Sequence, residues 1–180
     1  VDGAPKFFEQ YRLGSFFGDF ELFKRVEVLR GPASSTLYGA GAIGGVINFT
    51  TKDASDFIED GKTTTLRFKQ SYASNGHTNK QSVIFATKQG NAEYLGSLNF
   101  SNGGEIKDGD GTVLPGTSHE SISGLLKGKF TLGQDDDQSL TVALSRTNTD
   151  LDDALVAQTG GAAAAFFGTA DIHSIDNTLS

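Results

Sequence analysis

Gly39-Ala40-Gly41-Ala42-Ile43-Gly44 has the G-x-G-x-x-G spacing of a dinucleotide-binding loop, in which glycines let the backbone approach a pyrophosphate at a helix N-terminus. That chemistry needs a strand before the motif and a helix after it. Here Pro32 opens a short helical stretch to about Tyr38, and the β-branched Val46-Ile47-Asn48-Phe49-Thr50-Thr51 follows. The context is reversed. The glycines are better read as positions of positive φ and close packing than as a cofactor cradle. The histidines His77, His119 and His173 are widely spread, none with a second histidine three to five residues away, so zinc-type spacing is absent. An imidazole can ligate haem iron, and His77 and His119 fall on expected loops, where a lone histidine is ordinarily solvated. Asp135-Asp136-Asp137 and Asp150-Leu151-Asp152-Asp153 offer carboxylates without the spaced oxygens of a calcium loop. No Ser-His-Asp set, nucleophile elbow or close carboxylate pair stands out, so no catalysis, cofactor or metal site is expected.

The bulk composition narrows the classes further. The 180 residues carry a formal net charge of -7, which phosphate backbones repel, so no nucleic-acid role is expected. Lys24-Arg25 and Arg67-Phe68-Lys69 are too short to form a basic patch. The absence of cysteine excludes a disulfide framework, a thiolate metal site and a cysteine nucleophile together. No apolar run approaches the length of about 18 residues that a membrane helix needs. Val1-Asp2-Gly3-Ala4-Pro5 lacks the basic start and apolar core of a signal peptide. The chain closes at Thr178-Leu179-Ser180 in a strand-like stretch, and both ends lead us to expect a fragment of something longer.

The elements that must position these residues divide into two textures. Up to about Lys52 the pattern is irregular and glycine-jointed. Asp19 can cap a helical turn over Phe20-Glu21-Leu22-Phe23, Val26-Glu27-Val28-Leu29 reads as a short strand, and Gly31-Pro32 stops it. Asp53 to Gly61 is a polar, acidic joint. From Lys62 onward the residues alternate with a period of two. Leu66, Phe68 and Tyr72 oppose Arg67, Lys69 and Ser71. Val83 and Phe85 share a face, although Ile84 and Ala86 blur the contrast. Tyr94, Leu98 and Phe100 oppose Glu93, Ser97 and Asn99. Ile122, Leu126, Phe130 and Leu132 oppose Ser121, Ser123, Lys127 and Lys129, while Leu140, Val142 and Leu144 oppose Ser139, Thr141, Ser145 and Thr147. A sixth segment begins near Asp171.

These segments run to roughly 9 to 13 residues, closer to a tilted strand crossing a bilayer than to a soluble strand of about 5 or 6. Connections alternate short with long, apart from a modest loop at Asn75-Gly76-His77: Gly90-Asn91 and Gly133 to Asp137 are short, while Asn102 to His119 and Thr149 to Ala170 are long. A transmembrane barrel has such asymmetry. Tyr72, Tyr94, Phe100 and Phe130 would supply its aromatic girdle in a chain without tryptophan. Alternation alone also fits a soluble antiparallel sheet with one face in water, so a soluble β-rich binding or adhesion module remains the alternative.

One segment carries a longer signature. Lys24-Arg25-Val26-Glu27-Val28-Leu29-Arg30-Gly31-Pro32-Ala33-Ser34-Ser35 is followed by Leu37-Tyr38-Gly39 and by Ala42-Ile43-Gly44-Gly45-Val46-Ile47-Asn48-Phe49-Thr50-Thr51-Lys52. This run resembles the plug-domain signature of TonB-dependent outer-membrane receptors, and Val1-Asp2-Gly3-Ala4-Pro5 resembles an earlier strand of the same domain. The resemblance implies an all-β transmembrane barrel, here partial with about five to six antiparallel strands, preceded by part of a small α+β plug. It implies a division at 1–52 (plug), 53–61 (linker) and 62–180 (first barrel strands), out of about 22 strands in such transporters. The signature residues are Glu27, Arg30, Gly31, Pro32, Tyr38, Gly39, Gly44, Gly45 and Asn48. Of these, Glu27 and Arg30 would make charged plug–wall contacts, and the glycines tight turns. The resemblance further implies energy-coupled uptake of a scarce nutrient across the outer membrane of a Gram-negative bacterium: an iron-siderophore, haem or cobalamin. Its partners would be the substrate, the lipid bilayer and a TonB complex that pulls on an N-terminal box placed upstream of Val1.

Overall fold

The computed structural model describes residues 1–3, 20–31, 45–133, 138–155 and 169–180. A 3-10 turn at Phe20–Leu22 leads into β1 (Phe23–Arg30), which pairs antiparallel with β2 (Gly45–Thr51). The expected strand at 26–29 is thus longer at both ends, and the helical turn at Phe20 is a 3-10 turn. The stretch expected to be helical from Pro32 to Tyr38 lies outside the described residues. Gly45 opens β2 at φ 129°, where a Cβ would stand 2.3 Å from the Leu29 carbonyl oxygen, so only glycine fits that hairpin.

The remainder is a six-stranded antiparallel sheet in the order β10-β9-β8-β5-β4-β3. Its strands are β3 (Thr64–Ala73), β4 (Thr78–Gln89), β5 (Ala92–Gly103), β8 (His119–Leu132), β9 (Gln138–Leu155) and β10 (Thr169–Leu179). Neighbours in space are neighbours in sequence, except that a small hairpin of β6 (Ile106–Lys107) and β7 (Val113–Leu114) is inserted in the connection from β5 to β8. The sequence pattern read that connection as a plain loop. β9 also runs on to Leu155, well past Thr149 where a loop was expected to begin. Among the described residues no helix is long and apolar enough to cross a membrane, which has no bearing on strands.

The two faces of the sheet differ sharply in chemistry. On one face Leu66, Phe68, Leu98, Ile122, Leu126, Leu140 and Leu144 all stand exposed, Leu98 at 64% and Leu126 at 63%. A contiguous apolar surface of this extent is foreign to a soluble monomer. The opposite face carries the buried residues. Ile84 and Ala86 are inaccessible, and Leu95, Leu125 and Ala143 pack with them against Leu22, Ala54 and Phe57 from the N-terminal part. Around that small apolar patch the same face is polar, with Ser82, Glu93, Ser97, Lys127 and Thr149 buried. Ile84 and Ala86, which blurred the alternation, lie on this inner face because the N-terminal part covers it there.

Candidate functional site: the plug–wall junction

The chain between β2 and β3 is pinned to the inner face of the sheet. Ala54–Asp56 forms a 3-10 turn whose N-cap is Asp53, with the Asp53 backbone N–H donating to Asp56 Oδ2 at 2.8 Å. This turn drives Ala54 and Phe57 into the patch around Ile84 and leaves the Asp53 carboxylate facing β8. There Lys127 Nζ approaches Asp53 Oδ1 at 2.8 Å and Lys129 Nζ approaches Asp53 Oδ2 at 2.9 Å. Lys127 also donates to the Thr51 carbonyl at 3.1 Å and to Thr51 Oγ1 at 3.0 Å. An ammonium has three protons, and this one, whose side chain is only 6% exposed, has an acceptor for each.

Further contacts centred on Glu93, Glu21 and Phe57 extend the junction. Ser55 N donates to Glu93 Oε2 at 3.1 Å, and Lys88 stands 3.3 Å from the same carboxylate. Glu21 meets Lys69 at 2.8 Å and Arg67 at 3.4 Å. Arg67 also lies over the Phe57 ring, 5.6 Å from its centroid. Hydrogen bonding from Lys69 holds the Glu21 carboxyl below its ordinary value against the pull of burial. At Asp53, burial alone would raise the pKa, but the hydrogen bonds from Lys127 and Lys129 outweigh it and leave the group below its ordinary value.

The signature residues occupy other places. Glu27 Oε2 accepts from Asn48 Nδ2 at 3.3 Å across the β1–β2 pair, and Arg25 lies 3.5 Å from Glu27. Arg30 is exposed at the end of β1, and Gly31 follows at φ 91°. Pro32, Tyr38, Gly39 and Gly44 lie outside the described residues. The junction itself turns on Asp53, Lys127 and Lys129, which sequence reasoning placed only in a polar joint and on a polar strand face. Two lysines in succession on one inward face, with a single acid (Glu93) opposite Lys129, were the available signal.

The loop end of the sheet gathers the histidines. Tyr72 OH and His77 Nδ1 are 2.8 Å apart, His119 Nε2 is 3.0 Å from Ser101 Oγ, and His173 pairs with Asp150. Among the described residues no group of three or more His, Asp or Glu side chains is placed to hold a metal ion. Below this rim, a cleft of about 470 Å³ is lined by Glu21, Lys69, Ser82, Asn99, Ser123 and His119, among others.

A sheet that is apolar outside and polar inside, with the segments flanking a separate hairpin held on its inside by ion pairs from Glu21 and Asp53, is part of the wall of a plugged transmembrane β-barrel. Comparison with known proteins gives the family. Residues 1–46 match the family model of the TonB-dependent Receptor Plug Domain. The chain is 34% identical over 148 residues to the hemin receptor of Yersinia enterocolitica, covering 82% of this chain and 21% of that protein. It is 32% identical over 129 residues to the TonB-dependent heme receptor A of Haemophilus influenzae, covering 71% and 17%. Among solved structures, the FrpB iron transporter of Neisseria meningitidis superposes with a TM-score of 0.61 at 28% identity, over 76% of this chain and 21% of that one. The chain belongs to the TonB-dependent receptor family. It spans about a fifth of the length of these relatives, 21% of the Yersinia receptor and 17% of the Haemophilus one.

Proposed function

We propose that the protein containing this chain is a Gram-negative outer-membrane receptor that imports an iron-bearing nutrient, haem in the first instance, with energy from a TonB complex acting on the plug. The observation that carries this reading is the junction: a plug segment docked by Asp53, Lys127 and Lys129 onto the polar inside of a wall whose outside is apolar. Residues 1–52 act as the end of the plug, 53–61 as its fastening and 62–180 as the first wall strands. Glu27 and Arg30, on β1, meet parts of the wall other than β3–β10, and the glycines from Gly39 to Gly45 shape the plug's turns. The haem preference among iron-siderophore, haem and cobalamin cargoes rests on the names of the relatives, heme receptor A and hemin receptor. The imidazoles at the loop end are chemically suited to it. The protein is a receptor and transporter, as its relatives are named, and not an enzyme.

The test is growth. A strain lacking the receptor is expected to lose growth on haem as sole iron source, to keep it on ferric citrate, and to regain it with the full-length gene. The purified receptor in detergent should shift the haem absorption band on titration. Growth on haem unchanged by the deletion, with loss on another chelate, would replace haem as cargo. Recovery of the full-length protein in the soluble fraction would defeat the transporter reading altogether.

A further inference from the structure

The outside of the wall is not uniformly apolar. On β9 the outward residues Leu140, Val142 and Leu144 are followed at the next outward position by Arg146. It stands opposite Gly124 on β8 and Asn177 on β10, and is exposed. Beside it the wall is indented. Gly96 and Gly124 fall on outward positions of adjacent strands, paired with Leu126 and Leu98 respectively. With no Cβ at either glycine, a groove of about 420 Å³ runs between Val83, Phe85, Leu98, Leu126 and Leu144, and Arg146 lines its margin.

Depth decides what this arrangement can hold. From Gln138, where β9 leaves the short-turn end, to Arg146, a strand tilted by about 40° rises about 20 Å, near the top of an apolar band about 25 Å tall. The acids Glu120 and Asp150 face each other two outward positions further up, about 13 Å along the strand from Arg146, and Asp150 is taken by His173. An arginine at that height, next to hydrocarbon, needs an anion, and its planar fork suits phosphate oxygens. We propose that the groove holds a lipid with an anionic phosphate headgroup, with one acyl chain over Gly96 and Gly124 and the phosphate on the Arg146 guanidinium. The inference rests on the outer-membrane reading, which fixes the outside of the wall as lipid-facing.

The test uses the full-length receptor in detergent, titrated with phosphatidylglycerol or with phosphatidylcholine and read by native mass spectrometry. Retention of phosphatidylglycerol is expected to be about tenfold stronger. Arg146→Gln should abolish that preference, Arg146→Lys should keep part of it, and Gly124→Leu, which fills the groove, should weaken retention of both lipids. Equal retention of the two lipids by the native receptor, or an unchanged preference in Arg146→Gln, overturns the inference and leaves the transport reading standing. Displacement of the lipid by millimolar inorganic phosphate overturns it in favour of a free-phosphate site. A receptor that stays dispersed without detergent and retains no lipid overturns both readings.

Discussion

Lys127 is held by four acceptors that all come from the segment Thr51–Asp53, the Lys52 carbonyl at 3.4 Å being the longest, so one side chain is the centre of the junction. Its value is conditional on Asp53. A buried ammonium that keeps only neutral partners loses the charge that offsets its desolvation, and breaking such a pair costs about 3–5 kcal/mol. Asp53→Asn in the full-length receptor is therefore expected to destabilise plug docking by about 3 kcal/mol, read as earlier protease cleavage within residues 51–57 and a lower unfolding midpoint. The same carboxylate gives a pH dependence. Its pKa in the docked state lies below the ordinary 3.8, so the contribution is complete above about pH 4 and is lost as the pH falls through the lowered value. Protease sensitivity at the junction should rise as the pH is lowered below about 4 in the native receptor, and much less in Asp53→Asn. Little of this was legible beforehand. Asp53 and Lys127 are far apart in sequence, and only the seating of the 3-10 turn at Ala54 against Ile84 and Ala86 brings them together.

The strands were legible for the opposite reason: a period of two is a local property, and each of β3, β5, β8 and β9 sorts its own residues to the two faces without help from its neighbours. What the alternation could not reveal was which face met water. In the structure the apolar face is the bare one and the polar face is the covered one, the inverse of a soluble sheet. This predicts an asymmetric response to charge. Leu126→Arg, at mid-height on the outside, is expected to cost about 2–4 kcal/mol in the bilayer. Ser123→Arg, on the inside of the same strand, should cost less than half as much. Reversible urea unfolding of the full-length receptor in lipid vesicles measures both, and equal costs would refute the assignment of faces. The hairpin of β6 and β7 escaped sequence reading because Ile106–Lys107 and Val113–Leu114 are too short for any periodicity to register. Its turn is set by the Asp108 carboxylate, which accepts from the backbone of Asp110 and Thr112.

At the scale of the molecule, the described residues make an open sheet of six strands whose outer edges are β3 and β10. Unpaired edges together with an apolar exterior are a template for self-association. Expressed alone, residues 1–180 are expected to need detergent and to run as mixed oligomers in size-exclusion chromatography, and a sharp monomer in plain buffer would contradict the transmembrane assignment. The family signature was readable at this scale because so many of its residues fall in one run, from Lys24 to Lys52, whereas the six-residue glycine spacing is too short to specify a function and was set aside on its context. A last consequence concerns Thr51. Its hydroxyl donates to Asp2 Oδ2 at 2.6 Å while accepting from Lys127, and its backbone N–H donates to Asp2 Oδ1 at 2.8 Å. The leading strap of the chain and the barrel's lysine therefore grip one residue from two sides. A pull applied along Val1–Gly3 would meet Thr51 through the Asp2 carboxylate without passing through β1.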